Sequence, residues 1–159
     1  MRYRIAPHLA FMIQWLRVLG FDVKTWEKKE LLDPLHDALI QWEPYPLPLP
    51  RKGRGLTVIT LSGATLPQLL KEFLEQSGQQ PDPEKMFGRC LRCNTPLIPL
   101  PPDTVKALWP ELPEYVYRTQ KRFNRCPTCG KFFWEGTHVR NMRRTLSDWG
   151  VLPEETGVE

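Results

Sequence analysis

Four cysteines carry the strongest chemical signal in the chain. They stand as Cys90-Leu91-Arg92-Cys93 and Cys126-Pro127-Thr128-Cys129, two CxxC pairs separated by 32 residues. Two residues between ligands let both thiolates of one tight turn reach a single metal, and two such turns complete a tetrahedral shell. Asn94 follows the first pair and Gly130 the second. Both residue types tolerate the left-handed backbone that such a turn often needs. The competing reading is a disulfide pair, but a CxxC disulfide is often strained and no secretory context supports it. The spacing therefore predicts one structural Zn²⁺ on Cys90, Cys93, Cys126 and Cys129. Four thiolates leave that site formally at −2, shielded by the neighbouring Arg89, Arg92 and Arg125.

A second signal is charge. The chain is only modestly basic, with a formal net charge of +4. Between Val116 and Arg144, however, eight basic residues meet a single acid, Glu135, so that segment carries +7 and the remainder −3. Such asymmetry points to a polyanionic partner for the C-terminal part. Arg118, Lys121, Arg122, Lys131, Arg140, Arg143 and Arg144 are the candidate phosphate contacts, with His138 among them. Tyr117, Phe123, Phe133 and Trp134 alternate with these cations, the mixture that stacks bases while neutralising phosphates. Two plainer readings stand beside this one. The basic run can be a solvated face, and the aromatics can form a small core of their own. For His138, packing or a hydrogen bond within the last helix competes with a direct contact to nucleic acid.

Positioning these groups falls to a chain of 159 residues, 41% hydrophobic and 25% charged. That size suits one domain, or one domain with a small satellite, and allows a real hydrophobic core. The composition argues against disorder and against a multi-span membrane protein. Seventeen prolines predict short elements and many turns. Near the amino terminus the apolar run is interrupted by His8, Gln14 and Arg17, without the small-residue cleavage site of a signal peptide. A soluble protein of the cytoplasm, without membrane contact, is expected.

Tyr3 to Ile5 reads as a short strand. Leu9, Met12, Ile13 and Leu16 recur at helical spacing behind Pro7, and Gly20 closes that helix. Phe21 to Val23 is a second strand candidate. Asp33-Pro34 has the chemistry of a helix start, with Leu35, Ala38, Leu39 and Trp42 on one face. Alternating prolines from Pro44 to Pro50 then predict an extended connector, or a ligand for an SH3-like groove. Leu56 to Leu61 is the clearest strand, and Thr65 caps a helix that ends at Gly78. This β-α-β-α alternation favours a small parallel sheet with flanking helices. Beyond it, Thr104 to Leu108 reads as a helix, Lys131 to Trp134 as a strand and Thr137 as the cap of a last helix.

The motifs around the cysteines resemble one family. Pro81-Asp82-Pro83, Phe87-Gly88-Arg89-Cys90-Leu91-Arg92-Cys93-Asn94 and Pro113-Glu114-Tyr115-Val116-Tyr117 carry the likeness. So do Cys126 to Lys131, Trp134 to His138 and Met142-Arg143-Arg144. Residues 81 to 146 resemble the zinc-ribbon half of the Mut-seven C-terminal RNase family, a PIN-like nuclease domain with a zinc ribbon attached. Residues 8 to 22 and the helix around Gln68-Leu69-Leu70 resemble parts of its nuclease half.

The resemblance implies carboxylates at strand ends that hold Mg²⁺ or Mn²⁺ for phosphodiester hydrolysis, since these ions prefer hard oxygen ligands. Here the first expected aspartate falls at Ala6, and the expected acidic pair falls near Ser62-Gly63-Ala64. The threonine-arginine-aspartate motif is missing. Glu30 and Glu43 are the carboxylates left to stand in a catalytic site. The resemblance thus implies an α/β fold, with a reduced PIN-like domain over 1–80, a zinc ribbon and last helix over 81–150, and a flexible tail over 151–159. The expected function is binding of RNA or a ribonucleoprotein with lost or vestigial ribonuclease activity. Two alternatives stay open: a working metal-dependent ribonuclease, and an interaction module within a larger assembly.

Overall fold

A computed structural model describes residues 1–49 and 55–153. The chain divides into two compact units, Met1–Phe87 and Gly88–Glu159.

The first unit is a mixed α/β layer built on a parallel sheet. β1 (Arg2–Ile5) leads into a 3₁₀ turn (Pro7–Met12) that continues as α1 (Ile13–Val18). β2 (Asp22–Thr25), β3 (Asp37–Trp42) and β4 (Thr57–Leu61) follow, then α2 (Leu66–Ser77). The strand order is β2-β1-β3-β4, all parallel, with Tyr3 level with Val23 and Ala38, and Ile40 level with Ile5 and Ile59. These residues are buried on one face of the sheet. Phe73 of α2 is fully buried and meets Tyr3 and Phe21 edge-on, at 5.0 and 5.1 Å between ring centres. That is the geometry the ring quadrupoles favour. Gly20, at φ +96°, allows a close approach, because a Cβ there would lie 2.7 Å from the Lys85 carbonyl oxygen. Thr65 caps α2 as expected, accepting from the Gln68 amide, and the Gln68 side chain accepts in return from the Thr65 amide, which completes a capping box.

The expected helix from Asp33 is not formed, and β3 takes its place. A run such as Ala38-Leu39-Ile40 satisfies helical spacing and a fully buried parallel strand equally well. Burial separates the two readings: Leu35, which the helix would turn inward, is 82% exposed. Asp33 instead ties a local turn, accepting from the Leu35 amide at 2.9 Å. Its own amide donates to the Asp37 carboxylate, which also receives Arg2 at 2.8 Å. The predicted alternation is corrected accordingly, since β2 passes to β3 without a helix. Of the proline segment, Pro50 lies outside the described residues. Leu47 is anchored through its amide to the Gln41 side chain at 2.9 Å.

The second unit contains β5 (Ile98–Leu100), α3 (Pro102–Leu108), α4 (Glu114–Thr119), β6 (Phe123–Arg125), β7 (Phe132–Trp134) and α5 (Thr137–Asp148). The three strands form an antiparallel sheet in the order β5-β6-β7. Val105, Leu112, Val116 and Phe123 make a compact core, and Trp109, Tyr117, Phe132 and Trp134 pack against it. α5 starts at Gly136, without a side-chain cap. Thr137 is therefore its first residue and not its cap.

Candidate metal centre and basic surface

Both knuckles fold by the same rule, residue for residue. In the first, the Cys90 amide donates to Thr95 O and the Asn94 amide to Cys90 O, at 2.9 and 2.8 Å. In the second, the Cys126 amide donates to Lys131 O and the Gly130 amide to Cys126 O, at 2.9 and 2.8 Å. The turn closes through a left-handed residue in each case, Asn94 at φ 67° and Gly130 at φ 75°. An arginine just before each pair grips the carbonyl of that residue: Arg89 donates to Asn94 O at 2.8 Å and Arg125 to Gly130 O at 3.1 Å. Within each pair the second cysteine's amide points at the first cysteine's sulfur, at 3.4 and 3.5 Å.

This construction brings the four Sγ atoms within 4.8 Å of one another. Cys90 Sγ and Cys129 Sγ stand 3.8 Å apart. A tetrahedron with metal–sulfur bonds of about 2.3 Å has edges of about 3.8 Å, so the spacing fits one four-coordinate ion. Hydrogen bonding around the sulfurs sets Cys93 and Cys126 apart in acidity. Burial, with hydrogen bonds from the neighbouring thiols, pushes Cys93 up to about 12. Burial also acts on Cys126, but the amides of Cys129 and Thr128 and the adjacent thiols outweigh it and bring that group down to about 6. Metal binding takes thiolates, so protonated cysteines must release their protons to the solvent on binding. Among the described residues, no other group of three or more histidine, cysteine or carboxylate side chains is close enough to share an ion.

The two candidate catalytic carboxylates lie apart in role. Glu30 accepts from Arg4 Nε at 2.7 Å, and the Arg4 side chain is only 9% exposed. Together with Asp22, 3.9 Å from Arg4, it balances a buried guanidinium. Glu43 is exposed directly after β3, its amide bonded to Leu61 O at 2.8 Å. Ala6, after β1, is fully buried. At the end of β4 the polar groups are already satisfied by Glu72 of α2, which accepts from the Ser62 hydroxyl at 2.7 Å and the Gly63 amide at 2.8 Å. Burial opposes ionisation of Glu72, yet these donors hold its carboxyl below the usual range. Sequence reasoning missed Glu72. The available signal was a carboxylate one turn off the apolar face of α2, behind the capped Thr65.

The basic candidates all reach solvent. Lys121 and Arg122 are exposed in the turn before β6, and His138, Arg140 and Arg144 are exposed on α5. Lys131 lies over the Phe133 ring at 5.4 Å. Arg118 is paired with Glu114 at 3.2 Å and Arg143 with Glu135 at 3.1 Å. Of the four interleaved aromatics, Phe123 belongs to the core, with Tyr117 and Trp134 against it. Phe133 is left to the surface beside Lys131.

With the knuckles in place, the family can be stated. The Mut7-C RNAse domain family matches residues 48–146, more than half of the sequence. The chain belongs to that family. The match takes in β4, α2 and both knuckles, whereas residues 8–22 precede it. No curated protein and no solved structure gives a significant match. The RNAse-domain description makes nucleic acid relevant to this fold. No helix among the described residues is long and apolar enough to cross a membrane.

Proposed function

We propose that this Mut7-C domain protein binds RNA, free or in a ribonucleoprotein, through its basic second unit, with Zn²⁺ on the four cysteines holding that unit together. Hydrolysis is lost or vestigial, and the protein works in the cytoplasm. The observation that carries this reading is the exposure of Lys121, Arg122, Lys131, Arg140 and Arg144 on one small unit. Zinc supplies folding energy here and no chemistry, because four thiolates close its shell. Two features support the loss of Mg²⁺ or Mn²⁺ chemistry: Glu30 is engaged by Arg4, and Ala6 offers no oxygen. In the alternative, a working nuclease favoured by the family's description, Glu43, exposed directly after β3, is the remaining candidate carboxylate.

The test is fluorescence anisotropy with a labelled single-stranded RNA across a salt series, comparing the wild type with a Lys121→Glu, Arg122→Glu double variant. Two lost phosphate contacts flatten the log–log salt slope by about 1.4, at roughly 0.7 per contact on a single strand. An unchanged affinity and slope would count against this surface.

A further inference from the structure

The order β2-β1-β3-β4 places a topological switch point between β1 and β3. The chain leaves β1 towards β2 on one side, and leaves β3 towards β4 on the other. In open parallel sheets the crevice outside the carboxyl ends of two such strands is where ligands bind. The residues that emerge there are His8 after β1, and Trp42 and Tyr45 at the end of β3.

These three rings form one cluster. His8 lies 6.3 Å from Trp42 and 6.0 Å from Tyr45, and Trp42 lies 5.6 Å from Tyr45. The cluster is also braced. Trp42 Nε1 donates to Gly63 O at 3.0 Å, and the Tyr45 amide donates to Trp42 O at 3.0 Å. Yet it is not buried: Tyr45 is 65% exposed, His8 is exposed, and Phe11 nearby in sequence is 54% exposed. Fixed aromatic rings that face water, instead of a core, leave stacking area unused. The residue that directly follows Trp42 is Glu43, exposed and acidic, which does not favour a phosphate. A flat heterocycle suits these rings.

We infer that His8, Trp42 and Tyr45 form a stacking site for an unpaired nucleobase of single-stranded RNA, at the sheet edge where the metal-binding carboxylates of a nuclease would stand. The inference rests on the RNA-binding reading and adds a base contact to its phosphate contacts. Base–aromatic stacking is sequence-tolerant, so the site recognises strandedness more than sequence.

The experiment titrates the full chain with a labelled ten-nucleotide oligoadenylate and with the same strand carrying abasic positions. Tyr45→Ala is expected to weaken oligoadenylate binding about tenfold, with an unchanged salt slope, because no phosphate contact is lost. Tyr45→Phe keeps the affinity. The abasic strand binds the wild type and Tyr45→Ala alike. Since Tyr45 is largely exposed, the variant folds, and His8→Ala provides an independent second probe. Oligoadenylate affinity unchanged in both Tyr45→Ala and His8→Ala overturns the stacking site. If Lys121→Glu, Arg122→Glu still weakens binding in that case, the RNA reading survives without it. A wild type that binds neither strand overturns both.

Discussion

Replacing the knuckle arginines tests whether the symmetry of the two turns matters to the metal. Arg89 and Arg125 each hold the carbonyl of the left-handed residue that closes a knuckle, at 2.8 and 3.1 Å. A hydrogen bond from a charged donor contributes about 1.5–3 kcal/mol. Losing it loosens the loop whose amide is aimed at the first cysteine's sulfur. At about 1.4 kcal/mol per decade, Arg89→Met or Arg125→Met lowers zinc affinity roughly ten- to a hundredfold. Arg125→Met carries the larger penalty, because its guanidinium also lies over the Phe132 ring at 4.9 Å. Arg125→Lys restores charge but not the planar fork, so it recovers only part of the loss. Cys93→Ser removes a ligand outright and sets the upper limit of the effect. The assay is competition with a chromophoric zinc chelator at fixed pH, since protons compete for the thiols. Zinc affinity within twofold of wild type in both Arg→Met variants would refute the idea that these clamps hold the site. Equal losses in Arg89→Met and Arg125→Met would leave the clamps standing but remove the special role of the Phe132 stack.

Glu72 gives a prediction on the other unit. Its folded-state pKa is depressed, so its contribution is fully present above the unfolded carboxyl range and fades as pH falls through the folded value. Glu72→Gln is expected to cost about 1–2 kcal/mol at neutral pH and to lessen acid sensitivity; an unchanged urea midpoint would speak against it. For catalysis, the wild type is expected to show little or no Mn²⁺-dependent cleavage of labelled single-stranded or structured RNA. Cleavage that appears in the wild type and disappears in Glu30→Gln, Glu43→Gln would restore the enzyme reading.

What the chain reveals before folding depends on how local each decision is. The knuckles are local: two residues between ligands and a left-handed neighbour suffice, and the structure builds both turns that way. α2 is local too, because Thr65, Gln68 and Gly78 specify its ends within a few residues. β3 was not legible, since Ala38-Leu39-Ile40 becomes a strand only through pairing with β1 and β4, partners that no window around it contains. β5 and β6 have three residues each and one of them holds Pro99, so neither shows a usable period. α4 has six residues, below the length at which spacing separates a helix from a turn. The carboxylate of Glu72 was hidden for a different reason. Its partners Ser62 and Gly63 lie ten and nine residues back, across a turn whose direction the sequence does not print.

The sheet edge shows why scaffold and site must be argued separately. The position where the family resemblance places its first aspartate is Ala6, fully buried, with its amide bonded to Ile40 O at 2.9 Å. A carboxylate restored there takes a fully buried position, and burying a charge without a partner costs several kcal/mol. Glu30 is already engaged, because it accepts from Arg4 Nε at 2.7 Å, and moving it would leave the buried guanidinium with Asp22 at 3.9 Å as its remaining carboxylate. Glu72 is already spent on Ser62 and Gly63. Metal chemistry at this edge therefore requires several coordinated changes, whereas the exposed rings of His8 and Tyr45 require none to receive a base. Packing, more than the absence of any single acid, sets what this edge can hold.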